Sequence, residues 1–220
     1  MSEEEAKLWD AYNFLSCSSD VDRFRKFLAR SDLFRKTIDI PGDVVECGVL
    51  KGAGFMQWLK LINIFSPGTL KRVVGFDTFG TLPEVTKKEV ALEGLFTDVQ
   101  LDHIPTAEAI SSMALRLTGS TKPFELVSGD IVHTAPEYVA KRPGFRISLL
   151  HLDLDVAEPT LAALEAFYPV VTPGGVIVFD EYAVPKWSES DAVTKFFADK
   201  PECIKCLPWA KSPTAYCVKR

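Results

Sequence analysis

The sequence predicts an α/β fold with a doubly wound, mostly parallel sheet. Short runs of β-branched residues alternate along the chain with amphipathic stretches of helical period, which is the order expected of βαβ units. Most of these runs lack polar alternation, as is typical of strands that are covered on both faces. The predicted strands are Val44–Cys47, Val73–Phe76, Phe124–Val127, Ile147–Leu152 and Val176–Phe179.

Helices are predicted before and between these strands. Apolar residues recur at helical spacing over residues 5–36, and Pro41-Gly42 marks the end of this part. We therefore expect an N-terminal helical cap over residues 1–40. The other predicted helices cover about residues 53–65, 103–118, 157–168 and 189–199.

The rest of the chain is expected to form one domain over residues 41–220. An insertion at about 84–119, rich in charged residues and in Ser and Thr, is placed to cover the substrate as a lid. At the C-terminal end, Cys203–Leu207 and Tyr216–Val218 are expected to pair as antiparallel strands at the sheet edge.

The composition excludes several classes of protein. Among the 220 residues 47% are hydrophobic, which excludes a disordered chain. The 30 acidic and 25 basic side chains give a net charge of −5 without any long basic cluster, so we expect no nucleic-acid partner. No apolar run approaches the roughly 20 residues that span a membrane, so no membrane partner is expected either. The acidic start and five scattered cysteines favour a cytoplasmic protein.

The first strand ends in a glycine-rich turn, which predicts a ligand at this end of the sheet. Glycine lets a ligand approach backbone N–H groups because no Cβ intervenes. In Glu46-Cys47-Gly48, followed by Gly52, an acid precedes the glycines, and this suits a ligand with an amino group and a sulfonium. A dinucleotide fingerprint needs a small residue where Gln57 stands, which disfavours an NAD-dependent oxidoreductase. A plain glycine turn stays open as the alternative.

The second and third strands end in residues that suit a nucleoside. Asp77 ends the second strand, where a carboxylate can accept hydrogen bonds from both ribose hydroxyls. After the third strand, the segment Ser128–Ile131 can meet an adenine edge, although a simple turn explains it equally well. The candidate nucleoside contacts are Asp77, Thr78, Phe79, Ser128, Asp130 and Ile131.

Four carboxylates follow the fourth and fifth strands. They are Asp153 and Asp155 after one strand and Asp180 and Glu181 after the other. Acids that converge at an apolar sheet edge repel one another unless a cation compensates. Oxygen ligands indicate a hard ion, magnesium above calcium or manganese. The alternative is a set of surface acids at polar strand ends.

Several motifs occur in an order that resembles a known family. They are Val44-Val45-Glu46-Cys47-Gly48, Gly75-Phe76-Asp77-Thr78-Phe79 with Leu82-Pro83, Leu149–Asp155 with Glu158-Pro159-Thr160, Phe167-Tyr168-Pro169, and Thr172-Pro173-Gly174-Gly175 with Asp180-Glu181-Tyr182. Over about residues 40–200 the chain resembles the macrocin O-methyltransferase (TylF/MycF/NovP-like) family of class I S-adenosylmethionine-dependent methyltransferases, which methylate sugar hydroxyls of antibiotics.

The resemblance implies a Rossmann-like class I methyltransferase fold, S-adenosylmethionine as methyl donor, and Mg²⁺ held by Asp153, Asp180 and Glu181. It also implies that Asp155 is the general base. The residues expected to contact the donor are Glu46, Cys47, Gly48, Gly52, Asp77, Thr78, Phe79, Ser128, Asp130, Ile131 and Asp153.

The expected function is magnesium-dependent transfer of a methyl group to a hydroxyl of a sugar on a natural product or glycan. Two other functions stay open at this point: a catalytically inactive nucleoside-binding or assembly module of the same fold, and the NAD-dependent oxidoreductase. His151, which lies inside an apolar strand, is expected to be a hydrogen-bonded core residue, with a base or a residue that supports the ligand-binding groups as the alternative. The oligomeric state, including a homo-oligomer, is left open.

Overall fold

The structure is a computed structural model that describes residues 2–80, 87, 103–119 and 123–220. Two helices come first, and strands then alternate with helices to the end of the chain. The helices are α1 (Glu3–Cys17), α2 (Val21–Arg35), α3 (Ala53–Phe65), α4 (Ala107–Thr118), α5 (Ile131–Ala140), α6 (Ala157–Phe167) and α7 (Glu189–Phe197). The strands are β1 (Asp43–Cys47), β2 (Val73–Asp77), β3 (Phe124–Ser128), β4 (Ile147–Leu152), β5 (Val171–Phe179) and β6 (Ala215–Val218).

The six strands form one sheet in the order β3-β2-β1-β4-β5-β6. The first five strands along the chain pair in parallel, and β6 pairs antiparallel with β5. The predicted doubly wound, mostly parallel sheet with an antiparallel edge strand is therefore confirmed. The strand order reverses between β1 and β4, and in such sheets the crevice at this reversal is where ligands bind.

Helices cover both faces of the sheet because successive side chains of a strand point to opposite faces. Val45 of β1 packs in a cluster with residues of α5, α6 and α7. Its neighbour Val44 packs in a second cluster with residues of α2, α3 and α4. These two apolar layers account for the unbroken hydrophobic runs of the central strands.

A buried lysine ties the end of the N-terminal cap to the sheet. Lys71 Nζ lies 3.0 Å from the carbonyl oxygen of Ile40 and 2.9 Å from that of Gly42. It also contacts the carbonyl of Thr37 and, at 2.5 Å, the hydroxyl of Ser148 in β4. The chain between α2 and β1 is thereby held against the amino end of the sheet.

The prediction differs from the structure at three places. Helix α5 was not predicted, because Pro136 normally ends a helix; the Asp130 side chain caps this helix, and its Ile131, Ala135 and Tyr138 are buried. Cys203–Leu207 was predicted as a strand, and this is wrong, since only Lys205 pairs with Tyr216, as an isolated bridge. Strand β5 begins at Val171 rather than Val176, because a register irregularity lets it continue through the Pro-Gly-Gly segment.

The cap and the predicted lid are described in part. Helix α1 carries a capping box at Ser2 and has no buried residue, whereas α2 buries Ala29, Arg30, Leu33 and Phe34. Most of the segment from 84 to 102, together with Leu82-Pro83, lies outside the described residues. Within the part that is described, α4 packs Ile110 and Ala114 into the core. None of the described helices is both long enough and apolar enough to cross a membrane.

Candidate functional site

A cavity of about 470 Å³ opens at the carboxyl ends of β1, β2, β4 and β5. Its wall contains most of the predicted donor and metal residues and also side chains of α2. A larger cavity of about 960 Å³ lies at the opposite, amino end of the strands, lined by residues such as Gly42, Lys71 and Arg146. We assign the site to the smaller cavity because the carboxylates gather there, at the point where the strand order reverses.

Gly48 allows the ends of β1 and β4 to approach each other. Its φ is +92°, and a Cβ at this position would lie 1.8 Å from the carbonyl oxygen of Asp153. The Asp153 N–H in turn donates to the carbonyl of Cys47 at 2.8 Å. This close backbone contact brings Glu46 and Asp153 to the same cavity wall.

Glu46 lines the cavity and is almost fully buried. Its Oε1 accepts a hydrogen bond from Trp58 Nε1 and lies next to His151 Nδ1, each at 3.2 Å. Its Oε2 is buried and has no hydrogen-bond partner among the described residues. An unpaired buried carboxylate oxygen is costly, so this atom suits a donor group from a ligand.

Asp77 shapes the glycine-rich loop. Its Oδ2 accepts from the backbone N–H groups of Val49 and Leu50 at 2.7 and 2.8 Å, and its Oδ1 accepts from Phe79 N–H at 2.9 Å. Because each carboxylate oxygen has two lone pairs, Oδ1 retains capacity for a ribose hydroxyl. Asp77 thus organises the loop and also faces the cavity.

The other predicted donor residues divide into two groups. Thr78, Asp130 and Ile131 line the cavity together with Glu46, Gly48, Asp77 and Asp153. Four others are not part of its wall: Cys47, Gly52, Phe79 and Ser128. The Cys47 thiol points into the core, where burial raises its pKa well above the usual value. Gly52, with φ +84°, is instead the N-cap residue that precedes α3, in the left-handed conformation.

The four acids predicted at the ends of β4 and β5 all line the cavity. Burial, reinforced by the charge of Asp180, raises the pKa of Asp153 to about 6. Burial and the charges of Asp180 and Asp153 raise the pKa of Glu181 to about 7. Asp155 is in the left-handed conformation at φ +65°. Burial and the charges of Asp153, Glu181 and Asp180 raise its pKa well above the usual value. The cluster therefore carries negative charge that the surrounding protein compensates incompletely.

The pKa of Asp180 is shifted in the opposite direction to those of its neighbours, because hydrogen bonds and nearby cations stabilise its ionised form. Burial alone would raise its pKa, but the hydrogen bond to His151 and the charge of Lys26 keep the pKa well below its usual range. Lys26 Nζ and Ser212 Oγ lie 2.9 and 2.8 Å from its Oδ2. Asp180 therefore remains ionised while the other acids of the cluster gain proton affinity.

Helix α2 supplies two cations that sequence analysis missed. Besides Lys26, Arg30 Nη2 lies 3.8 Å from Asp153 Oδ2, and its guanidinium stands over the Trp58 ring at 5.7 Å. A signal for these residues was available: Arg23, Lys26 and Arg30 recur at helical spacing and share one helix face, which lines the cavity.

His151 is fully buried and hydrogen-bonded, as the sequence predicted. Its Nδ1 lies 3.2 Å from Glu46 Oε1 and its Nε2 lies 3.2 Å from Asp180 Oδ1. Burial alone would lower its pKa, but these two hydrogen bonds raise it above the usual value. Which ring nitrogen donates a hydrogen bond depends on the protonation of the ring.

Glu189 is a buried acid that sequence analysis did not find. It is buried at the start of α7, and its Oε1 accepts from the Glu181 N–H at 3.1 Å. Burial raises its pKa well above the usual value. A buried acid in the first turn of a helix resembles an ordinary capping residue in sequence, so no local pattern reveals it.

Comparison with protein families identifies the chain. The model of the macrocin-O-methyltransferase (TylF) family matches residues 22–202. The chain belongs to the TylF family. The match begins in α2, so it includes Lys26 and Arg30 as well as every acid of the cavity. Family membership favours the methyltransferase interpretation over the NAD-dependent oxidoreductase.

Two relatives of this TylF-family chain are named as O-methyltransferases. An 8-demethyl-8-(2,3-dimethoxy-α-L-rhamnosyl)-tetracenomycin-C 4′-O-methyltransferase from Streptomyces olivaceus is 27% identical over 148 residues, which is 66% of this chain. A mycinamicin III 3″-O-methyltransferase from Micromonospora griseorubida is 25% identical over 162 residues, or 69% of the chain. The matched regions span 54% and 59% of these two relatives.

Solved structures confirm the Rossmann-like methyltransferase fold of this TylF-family chain. The calicheamicin methyltransferase CalS11 superposes with a TM-score of 0.79 at 27% identity, covering 99% of this chain and 93% of CalS11. An apo structure of CalS11 is described as a TDP-rhamnose 3′-O-methyltransferase. The O-methyltransferase NovP superposes with a TM-score of 0.72 at 20% identity, covering 89% of this chain and 79% of NovP.

Proposed function

We propose that this chain is a divalent-cation-dependent O-methyltransferase that moves a methyl group from S-adenosylmethionine to a sugar hydroxyl of a natural product, a glycan or a nucleotide-linked sugar. One observation carries the proposal: four carboxylates converge at the cavity wall beside Glu46 and Asp77. The sugar acceptor is supported by the names of the tetracenomycin, mycinamicin and TDP-rhamnose enzymes.

The donor half of the cavity fits the cationic amino acid end of S-adenosylmethionine. The Glu46 Oε2 atom is buried without a partner among the described residues and suits the ammonium group. Asp77 retains an oxygen for the ribose, and Asp130 and Ile131 stand where the adenine is expected. Gly48, which lines the cavity, lets the backbone of Asp153 lie beside the glycine-rich loop.

The acceptor half fits a hard divalent cation. Asp153, Asp180 and Glu181 offer only oxygen ligands, which magnesium prefers. Oxygens of Asp153 and Asp180 lie together with a ring nitrogen of His151 within 4.8 Å of one another. The raised pKa values of Asp153 and Glu181 mark negative charge that a cation would compensate.

When bound, S-adenosylmethionine would supply a methyl carbon already activated by a sulfonium, and the divalent cation would supply a Lewis acid that lowers the pKa of a coordinated hydroxyl. The chain supplies position and proton transfer. Asp155 lies on the same wall as the proposed cation ligands, and we assign it the role of general base. Burial raises its pKa, which increases its affinity for the hydroxyl proton.

The test uses two readouts that separate binding from catalysis. Calorimetry with S-adenosylhomocysteine should detect binding to the wild-type chain and to the Asp155→Asn variant alike. Turnover, assayed with TDP-rhamnose and with rhamnosylated natural products plus Mg²⁺, should fall about 10²–10⁴-fold in Asp155→Asn, since that is the usual contribution of a general base. The exposed Asp199→Asn is the matched control and should retain both properties. Absence of S-adenosylhomocysteine binding at millimolar concentration would overturn the proposal.

A non-catalytic nucleoside-binding module is the second candidate. The ion pair between Lys26 and Asp180 favours it, because a protein cation already contacts one of the proposed cation ligands. Manganese titration followed by electron paramagnetic resonance distinguishes the two functions. The module would bind S-adenosylhomocysteine and no manganese, whereas the enzyme binds both.

Two further properties remain our predictions. A cytoplasmic location follows from the composition alone. Homo-oligomerisation is suggested by α1, whose Leu8, Trp9, Tyr12 and Phe14 are all exposed. Light scattering coupled to size-exclusion chromatography tests it directly.

A further inference from the structure

Strand register places three ionisable side chains on one face of the sheet. His151 in β4 is the Cα partner of Glu46 in β1 and of Val178 in β5. Asp180 follows Val178 by two residues and therefore shares its face. The ring of His151 lies between the two carboxylates, one at each nitrogen, and packs edge-on against Trp58 with ring centroids 5.5 Å apart.

In each of the two carboxylates, one oxygen contacts His151 and the other oxygen does not. His151 holds Oε1 of Glu46 and Oδ1 of Asp180, each at 3.2 Å. The opposite oxygen of Glu46, Oε2, is the atom without a partner among the described residues. The opposite oxygen of Asp180, Oδ2, already contacts Lys26 and Ser212. His151 thus contacts both carboxylates, while Trp58 also holds Glu46 and Lys26 and Ser212 also hold Asp180.

We propose that His151 is a positioning residue that orients the donor-binding carboxylate of Glu46 through Nδ1 and the cation-binding carboxylate of Asp180 through Nε2. The proposal rests on the proposed function, which assigns those roles to the two acids. His151 itself is fully buried. It acts only through its two partners, much as residues behind metal ligands fix their orientation.

The two hydrogen bonds can be removed separately. The side-chain amide nitrogen of asparagine lies near the position of the histidine Nδ1, and that of glutamine lies near Nε2. His151→Asn should therefore keep the bond to Glu46 and lose the bond to Asp180, and His151→Gln should do the reverse. His151→Phe retains the ring volume and makes neither bond.

The readouts are the affinities for S-adenosylhomocysteine, by calorimetry, and for Mn²⁺, by electron paramagnetic resonance, both on the full chain. We expect His151→Asn to bind Mn²⁺ about tenfold more weakly with little change for S-adenosylhomocysteine, and His151→Gln to show the opposite pattern. His151→Phe should lose affinity for both. The exposed His133→Gln is the control and should match the wild type.

A merely structural role predicts a different result: all three variants would lower the melting temperature and weaken both ligands in parallel. That parallel loss, or no loss at all, would overturn the proposal. A wild-type chain that binds S-adenosylhomocysteine but no Mn²⁺ would also overturn it. Failure of the wild-type chain to bind S-adenosylhomocysteine contradicts the proposed function instead.

A measurement on the wild-type chain keeps the proposal testable if the variants do not fold. In protein labelled with ¹⁵N-histidine, S-adenosylhomocysteine should shift mainly the Nδ1 resonance of His151, and Mg²⁺ mainly the Nε2 resonance. Resonances that respond to neither ligand, or that respond equally to both, contradict the assignment.

Discussion

Glu181→Gln is expected to stabilise the cation-free protein at pH 8 but not at pH 5. Glu181 is partly buried beside Asp180 and Asp153, and burial together with their charges raises its pKa from 4.5 to about 7. Between these two values the folded chain holds a proton that the unfolded chain has released. Stability therefore falls as pH rises through this range, and the cost is fully present above pH 7. Glutamine keeps the shape of the side chain and removes the charge.

The magnitude follows from the two pKa values. A pKa of about 7 in the folded protein against 4.5 in the unfolded chain corresponds to at most about 3.4 kcal/mol, at ~1.36 kcal/mol per pH unit. Because Glu181 is partly exposed, screening by solvent reduces this to about 1–2 kcal/mol. The difference in stability between variant and wild type should approach zero at pH 5.

Urea unfolding in EDTA at pH 5, 6, 7 and 8 measures this difference. The exposed Glu165→Gln serves as the matched control and should show little change with pH. In saturating Mg²⁺ at pH 8 the order should reverse, because the wild type then gains a ligand that glutamine replaces poorly. A Glu181→Gln variant that is less stable than wild type at pH 8 in EDTA, or a difference that does not change with pH, would refute the reasoning.

Three other substitutions test the site and the fold. Lys26→Met removes a cation that competes for the proposed metal ligand, so Mn²⁺ should bind about fivefold more tightly, whereas Arg23→Met on the same helix should change the affinity less. Gly48→Ala should lower the free energy of unfolding in urea by about 3 kcal/mol and weaken S-adenosylhomocysteine binding, because the added Cβ would collide with the backbone of Asp153. Gly144→Ala, where the added Cβ meets open space, is the control. Lys71→Met removes a donor from three backbone carbonyls, of which those of Thr37 and Gly42 keep a second donor, and should cost about 2 kcal/mol; a loss below about 1 kcal/mol would contradict the role of Lys71 in holding this segment.

The fold could be predicted because each central strand is buried on both faces. Such strands are continuous apolar runs, and the turns after them must carry the polar and glycine residues that meet a ligand. The acids after β4 and β5 could be placed together for the same reason, since parallel neighbouring strands end at the same edge of the sheet. Local patterns therefore predicted the acids that line the cavity.

Contacts between distant segments could not be predicted in this way. Lys26 and Asp180 are 154 positions apart, and nothing in the pattern of α2 specifies which cavity its basic face lines. Helix α5 was missed because Pro136 dominates the local pattern, whereas burial of Tyr138 and the Asp130 cap stabilise the helix. Cys47 was predicted as a donor contact because it stands directly before Gly48 in the glycine-rich turn. Its side chain instead packs in the core, and Cys47 is not part of the cavity wall.

The distribution of cations among the acids supports the separate roles in cation binding and proton transfer that we propose for them. Among the described residues, Lys26 and His151 contact Asp180 and Arg30 approaches Asp153, while the pKa values of Asp155 and Glu181 remain raised. A permanently ionised Asp180 suits the binding of a cation, and an acid with raised pKa suits a general base near neutral pH. Neutralising Asp155 with a cation of its own would remove that difference. The proposed roles of Asp180 and Asp155 therefore depend on α2, whose Lys26 forms its ion pair with Asp180.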